Sequence, residues 1–300
     1  MEHFVANCLE KFSPIGLEAL NGKAEMLERI DNKYIMPAAQ LLPALDALKD
    51  IFDVLDIEGQ RVFSYATRYF DDAELRGYYD HHQRRRKRVK ARVRQYVDAG
   101  FSYLEVKVNE QRSMTVKRRM KVGAPLRSLD DQCMDFVRTC YRDCYGDEFC
   151  KELQPVILIE YQRITLVARE GGERLTIDTG MKFNGSKASR AADPSIFIIE
   201  TKSARGNGIA DKVFRAQHAT VTKRVSKFCI GMAVTGQVAR YNGFLPAMRK
   251  LGFVGPSARA MPQLCAENPD AHSRNASHVL PFSTRPQPVA LSPAVAGARG

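Results

Sequence analysis

The stretch RVKARVRQYVDAGFSYLEVKVN, Arg88 to Asn109, constrains this chain more than any other. Lys90, Arg92, Arg94 and Tyr96 share one parity, and after the break Tyr103, Glu105, Lys107 and Asn109 share another. The residues between them are Val89, Ala91 and Val93, then Leu104, Val106 and Val108. A period of two with one apolar side is the pattern of a half-buried β-strand. Asp98–Gly100 supplies the turn of an antiparallel pair. The pattern recurs along the chain. Arg29, Asp31 and Lys33 alternate in EMLERIDNKYIM. Thr115, Lys117 and Arg119 alternate against Met114 and Val116. Tyr161 and Arg163, then Arg174, Thr176 and Asp178, then Glu200 and Lys202 mark the polar faces of three later strands.

One ionic strand face is ordinarily a solvated surface. Here strand after strand presents Arg and Lys with sparse, regularly placed carboxylates, and the whole chain carries a formal net charge of +12. Like charges held this close repel unless an anion neutralises them. The expected fold is therefore α+β: a closed antiparallel β-barrel tunnel with its ionic faces inward and surrounding helices on the apolar faces. Arginine forks match phosphate oxygens. Carboxylates among them suit Mn2+ or Mg2+, hard cations that prefer oxygen ligands.

Around these strands, PAAQLLPALDALKDIF reads as a helix from Pro37, with Leu41, Leu45 and Leu48 at helical spacing. VFSYATRYFD reads as a strand and DAELRGYYDHH as a short helix. A longer helix is expected from Leu129 to Glu152, a hairpin turn at Gly171–Gly172, and a helix over Ala210 to Ala219 before VSKFCIGMAV. RYNGFLPAMRKLGF is expected to close the domain as a helix. Residues 1–24 read as an arm, 25–254 as the tunnel domain, and 255–300, without periodicity, as a disordered tail.

Seven cysteines, with no Cys-x-x-Cys pair, fit reduced thiols in a cytoplasmic protein. Cys133, Cys140 and Cys144 lack the neighbouring histidines of a zinc site. No signal peptide is legible, and apolar runs such as Val156–Ile159 and Ile196–Ile199 are too short to span a bilayer. His81 and His82 read as structural or surface groups, and Arg84 to Arg88 as a solvated basic turn that could gather polyanion at a tunnel mouth. The chain also echoes itself: LEVK at Glu105 and IETK at Glu200.

Eight segments in order carry a family resemblance: RIDNKYIM, YATRYFDDAELRGYYDHH, the opening stretch, TVKRRM, EYQRITL, RLTIDTGMKF, IIETKSARGNG and VSKFCIGMA. Together they cover roughly Glu25 to Val234 and resemble the vacuolar transporter chaperone (VTC) polyphosphate polymerase domain, a branch of the CYTH-like triphosphate tunnel metalloenzymes. The resemblance implies an eight-stranded antiparallel tunnel, in which Lys33, Arg92, Arg94, Lys107, Arg163, Arg174 and Lys227 contact phosphate, Glu200 binds metal, and Ser226 neighbours phosphate. The ionic faces add Lys90, Lys117 and Lys202 as phosphate-binding groups. Glu105 is a second metal candidate, weighed against a salt-bridge role beside Arg94 or Lys107. Two departures stand out. The family's eukaryotic members add an N-terminal inositol-phosphate sensor and C-terminal membrane spans, neither of which these 300 residues show. And Asp31 stands where many tunnel enzymes place a Glu-x-Glu-x-Lys motif.

The implied reaction is metal-dependent synthesis of inorganic polyphosphate from ATP, with ADP leaving. It needs in-line positioning and cations rather than a protein nucleophile, and Ser226 has no general base beside it to become one. Two rivals remain open: a tunnel-type triphosphate or polyphosphate hydrolase, and a nucleic-acid or polyanion binder without catalysis. Nucleic acid is disfavoured because the chain has no tryptophan and sets carboxylates on its basic faces. The expected partners are ATP and polyphosphate, with a membrane-protein partner left open.

Overall fold

The computed structural model describes residues 7–23, 30–109, 115–123 and 127–254. Arg29, Met114, Cys265 and the expected tail from Gly255 lie outside the described residues. Eleven strands make one sheet: β1 (Ser13–Ile15), β2 (Ile30–Pro37), β3 (Phe52–Leu55), β4 (Phe63–Asp71), β5 (Val89–Tyr96), β6 (Phe101–Asn109), β7 (Thr115–Val122), β8 (Gln154–Ala168), β9 (Arg174–Gly185), β10 (Ser189–Ala191) and β11 (Ile196–Ser203). The helices are α1 (Leu17–Lys23), α2 (Ala38–Leu48), α3 (Arg76–His82), α4 (Asp131–Tyr145), α5 (Ile209–Ala216), α6 (Lys227–Val234) and α7 (Leu245–Lys250). Among the described residues no helix is long and apolar enough to cross a membrane.

The main path runs β2-β11-β9-β8-β4-β5-β6-β7, antiparallel throughout. The short β10 adds to β9, β3 to β8, and β1 runs parallel to β3. This corrects the expected closed, eight-stranded barrel: among the described residues the sheet has eleven strands and is open, with β2 and β7 as the path's ends. The reason lies at the β2 edge. There the Thr222 N–H donates to the Lys33 carbonyl at 2.7 Å, and Lys33 Nζ donates to the Val225 carbonyl at 3.2 Å. The segment leading to α6 covers that edge in place of β7.

The apolar parity of each strand is covered by helices. Leu41, Ala44, Leu45 and Leu48 of α2 pack with Phe214 of α5 on Met36, Ile164, Ile177 and Ile199. Cys133, Val137 and Cys140 of α4 pack on Val89, Ala91, Val93, Leu104, Val106 and Val108. Helix α4 starts where the Asp130 carboxylate accepts the Cys133 N–H at 2.8 Å. It stops at Gly146, whose φ of 70° closes the last turn onto the Arg142 carbonyl, short of the expected Glu152. Residues 7–23, expected as an arm, pack on the sheet: Leu9 and Phe12 enter the α2 core, and Arg61 donates to the Leu9 carbonyl at 2.7 Å.

Helix α6 sits on the polar side of the sheet, against β8 and β9, and Phe228, Ile230 and Met232 bury there with Ile157, Ile159 and Phe183. The approach is close at Gly231. A Cβ there would stand 2.6 Å from Ile157 Cδ1 and 2.8 Å from Phe183 Cδ1, so the absence of a side chain sets how deeply the helix seats. Its N-terminus, with Ser226 as N-cap, is thereby carried to the ionic face.

Candidate functional site: a cation-lined sheet face

The residues expected on ionic faces gather on one side of the sheet in three ion clusters. The first centres on Glu105 of β6, whose side chain is only 2% exposed. Its Oε2 accepts from Arg92 Nε at 2.8 Å and lies 2.6 Å from Arg92 Nη2, and its Oε1 accepts from Lys117 Nζ at 3.2 Å; Arg94 Nη2 lies 3.7 Å away. Burial raises the Glu105 pKa, but Arg92, Arg94 and Lys117 outweigh it and hold the carboxyl far below its usual range. Arg92 also donates to the Tyr69 hydroxyl at 2.8 Å.

The second cluster centres on Asp178 of β9. Arg163 grips it with both arms, Nε to Oδ1 at 2.6 Å and Nη2 to Oδ2 at 2.8 Å, and Lys227 at the start of α6 also donates to Oδ2. Burial raises Asp178, yet Arg163 and Lys227 bring it down to about 2. Tyr161 lies under both cations, with Lys227 Nζ 4.7 Å and the Arg163 guanidinium 5.5 Å from its ring centroid. Tyr65 stacks on Tyr161 at 5.4 Å and takes Arg94 and Arg163 over its own ring. Burial opposes ionisation of Tyr161, but Arg94, Arg163 and Lys227 more than offset it and lower its pKa.

The third cluster lies between β2 and β11. Register places Glu200 opposite Lys33 and Lys202 opposite Asp31, and on the other side Glu200 opposite Thr176 and Lys202 opposite Arg174. Lys202 Nζ donates to Asp31 Oδ2 at 2.7 Å and also to Glu200 Oε1. Burial raises the Glu200 carboxyl, but Lys33 and Lys202 hold it well below its usual range.

The sheet bends enough for these clusters to share a space. Burial pushes Lys107 of β6 down to about 7, with Lys33 of β2 and Arg92 of β5 adding to the shift and Glu200 of β11 opposing it. Lys90 falls to about 8 through burial and the charges of Lys33, Arg88 and Arg92. It donates to Ser226 Oγ at 3.2 Å, which ties β5 to the head of α6. Ser226 Oγ also accepts the Cys229 N–H at 3.4 Å, as a helix cap does. Three buried polar atoms on this face have no protein partner: Arg94 Nε, Thr67 Oγ1 and Thr176 Oγ1.

All the sequence-expected site residues thus lie on this face, but not in equal roles. Glu105 is enclosed by cations, which leaves its oxygens bonded to Arg92 and Lys117. Glu200 and Asp31 form the remaining carboxylate pair. Among the described residues no group of three or more His, Cys, Asp or Glu side chains could hold a metal ion. Two carboxylates still fit a hard divalent cation whose other ligands are phosphate oxygens and water, the usual arrangement at phosphate sites. His81 lies in the wall, stacked on Phe244, and burial with Lys90, Arg88 and Lys33 nearby pushes it down to about 2. In the basic turn, Arg85 pairs with Asp80, Lys87 with Asp147, and Arg88 with Asn109.

Sequence reasoning missed the site roles of Tyr65, Thr67, Tyr69 and Asp178. The alternation of Tyr65, Thr67 and Tyr69 in FSYATRYF was a usable signal, since their parity continues the same face. Asp178 was visible on its strand, but its grip on Lys227 depends on where α6 lands.

Among curated proteins no sequence matches the chain. Solved structures similar to it include PH1012 from Pyrococcus horikoshii OT3, at a TM-score of 0.39 and 11% identity, covering 67% of this chain and 98% of that one. They also include HpAC1 from Hippeastrum, described as a putative adenylyl cyclase with a dominant triphosphatase activity, at a TM-score of 0.39 and 14% identity, covering 71% and 98%. A conserved hypothetical protein from Pyrococcus furiosus is similar at a TM-score of 0.38 and 11% identity, covering 67% and 99%. Residues 28–235 match the VTC domain, and on that span the chain belongs to the VTC-domain family.

Proposed function

We propose that this chain is a phosphotransferase that elongates inorganic polyphosphate with the γ-phosphoryl group of ATP. The observation that carries the proposal is the surplus of fixed cations on one sheet face, together with the buried Arg94 Nε, Thr67 Oγ1 and Thr176 Oγ1 that have no partner in the protein. Buried donors are left unmet only at a cost, and an oxygen-rich anion meets them. Family membership supports phosphoryl chemistry at this face.

The carboxylates divide the work. Glu105 and Asp178 hold Arg92, Arg94, Lys117, Arg163 and Lys227 in fixed orientations, so that these donors reach equatorial phosphate oxygens without reorganising. Lys33, Lys90 and Lys107 lack such a clamp; bound phosphate favours their ammonium forms, and they follow the chain of phosphates. Asp31 and Glu200 would hold Mn2+ or Mg2+, which when bound would neutralise charge on phosphate oxygens. Ser226 caps α6 and accepts from Lys90; it is a positioning residue.

The test is product length. Purified protein is incubated with ATP and Mn2+ or Mg2+, and products are separated on a gel that resolves polyphosphate chains. A ladder that lengthens with time supports the proposal. Only orthophosphate or short products would replace it with a hydrolase. Absence of turnover combined with salt-steep DNA binding would replace it with a polyanion binder.

A further inference from the structure

The Asp31–Glu200 pair already has a cation between its carboxylates. The Lys202 ammonium donates to both Asp31 and Glu200, taking up one oxygen of each. We propose that Lys202 is a built-in stand-in for the divalent cation: it keeps the metal site closed until a polyphosphate chain arrives, so metal enters with the phosphates and not before them. This rests on the phosphoryl-transfer reading of the face and concerns the order in which its ligands assemble.

Three observations carry it. First, the donor set is too small to hold a metal alone, because two carboxylates are what the described residues offer there. Second, the pair's register neighbours are cations or neutral: Lys33 lies opposite Glu200, Arg174 opposite Lys202 and Thr176 opposite Glu200, and the Lys107 charge acts on Glu200 from β6. A dication added to that setting without an anion meets repulsion from the surrounding cations as well as the attraction of the two carboxylates. Third, the competitor is a lysine, a point charge on a flexible four-carbon stem. Its side chain is 18% exposed, which leaves it room to swing from the carboxylates to an incoming phosphate oxygen. Arriving phosphate therefore draws the ammonium away and supplies the oxygens that complete the metal's shell.

Direct Mn2+ binding tests this without turnover, by the loss of the free Mn2+ electron paramagnetic resonance signal in nucleotide-free protein. Lys202→Met is expected to bind Mn2+ about tenfold tighter than wild type, the scale of one charge-assisted bond removed from competition. Adding Glu200→Gln to that variant is expected to abolish the gain. Wild type is expected to take up Mn2+ tightly only with tripolyphosphate present, beyond what tripolyphosphate binds alone. Lys202→Met binding no tighter than wild type would overturn the proposal. Should that variant fail to fold, Lys202→Arg decides: its guanidinium keeps the bridge, so tighter Mn2+ binding than wild type would also overturn it, as would equal Mn2+ affinity of wild type with and without tripolyphosphate. Because no arm reads product, a chain that makes no polyphosphate can still show this order. A chain that makes polyphosphate can equally fail to show it.

Discussion

Glu105-Val106-Lys107 and Glu200-Thr201-Lys202 are the same three-residue idea on two walls of one sheet, and the fold uses them in opposite ways. On β6, Arg92 lies directly opposite Glu105 on one side and Arg119 on the other. The carboxylate is sealed by Arg92, Arg94 and Lys117, and Lys107 is left among like charges, with Lys90 and Lys117 as its register neighbours. On β11, Glu200 faces Lys33 and a threonine, and the lysine two residues on turns back to bridge it to Asp31. A carboxylate surrounded by arginines becomes a clamp. One bridged by the lysine two residues along its own strand, with Lys33 opposite, is the arrangement that the proposed exchange requires. What decides is the residue across the ladder, not the motif.

The comparison breaks most visibly under neutralisation. Glu105→Gln leaves Arg92, Arg94 and Lys117 packed together without their counter-charge, and loss of one partner from a buried ion cluster costs about 3–5 kcal/mol. Glu200→Gln leaves Asp31 to hold Lys202, in a more exposed place than Glu105, and is expected to cost less than Glu105→Gln while abolishing metal-dependent turnover. Urea midpoints at unchanged m-values measure the first difference. Tripolyphosphate should recover more stability in Glu105→Gln than in Glu200→Gln, since it neutralises the stranded cations. Equal stability losses in the two variants would mean that the two walls are built alike.

Much of this was legible in the sequence, for physical reasons. Strands of eight residues or more with one ionic and one apolar parity announce both their conformation and which side chains share a face, so Arg92, Arg94, Arg163 and Glu200 could be placed together. β1, β3 and the three-residue β10 were missed. Ser13–Ile15 is too short for a period, and Phe52–Leu55 is buried on both sides, which erases the alternation. Closure was misjudged because alternation speaks of faces and says nothing about what covers an edge. That is settled by Thr222 and Val225, which are distant in sequence from Lys33. Partner choice was the least legible part: Glu105 and Glu200 differ only in register neighbours contributed by other strands.

A second test sharpens the contrast through protons. Lys107 titrates at about 7 and Lys90 at about 8, both below the usual lysine value, so the unliganded protein carries each partly neutral near pH 8. For a lysine whose folded pKa is depressed, the destabilising charge is fully present below the folded value. It is relieved as pH rises from there toward the unfolded value of about 10.4. A bound polyphosphate reverses the crowding and favours the ammonium. Tripolyphosphate binding at pH 8 is therefore accompanied by proton uptake, and its affinity falls as pH rises above about 7. Calorimetry in buffers of different ionisation enthalpy measures the uptake. Lys107→Gln should reduce it, and an uptake unchanged by that substitution would place the titrating group elsewhere.

The smallest effect is expected where the two walls are tied together, at Ser226. Its Oγ accepts Lys90 Nζ from β5 and the Cys229 N–H at the head of α6, and α6 packs on β8 and β9 from the opposite wall. Ser226→Ala removes a helix cap worth about 1 kcal/mol and one acceptor of Lys90. The orientation of α6 is fixed mainly elsewhere, by the close seat at Gly231 and by the Lys227–Asp178 pair. Stability should therefore fall by about that cap, and turnover should stay within a few-fold of wild type, because the serine positions a lysine and attacks nothing. A loss of a thousandfold or more with the fold intact would make Ser226 a participant in the chemistry. It would also move the centre of the reaction from the β2–β11 wall to the head of α6.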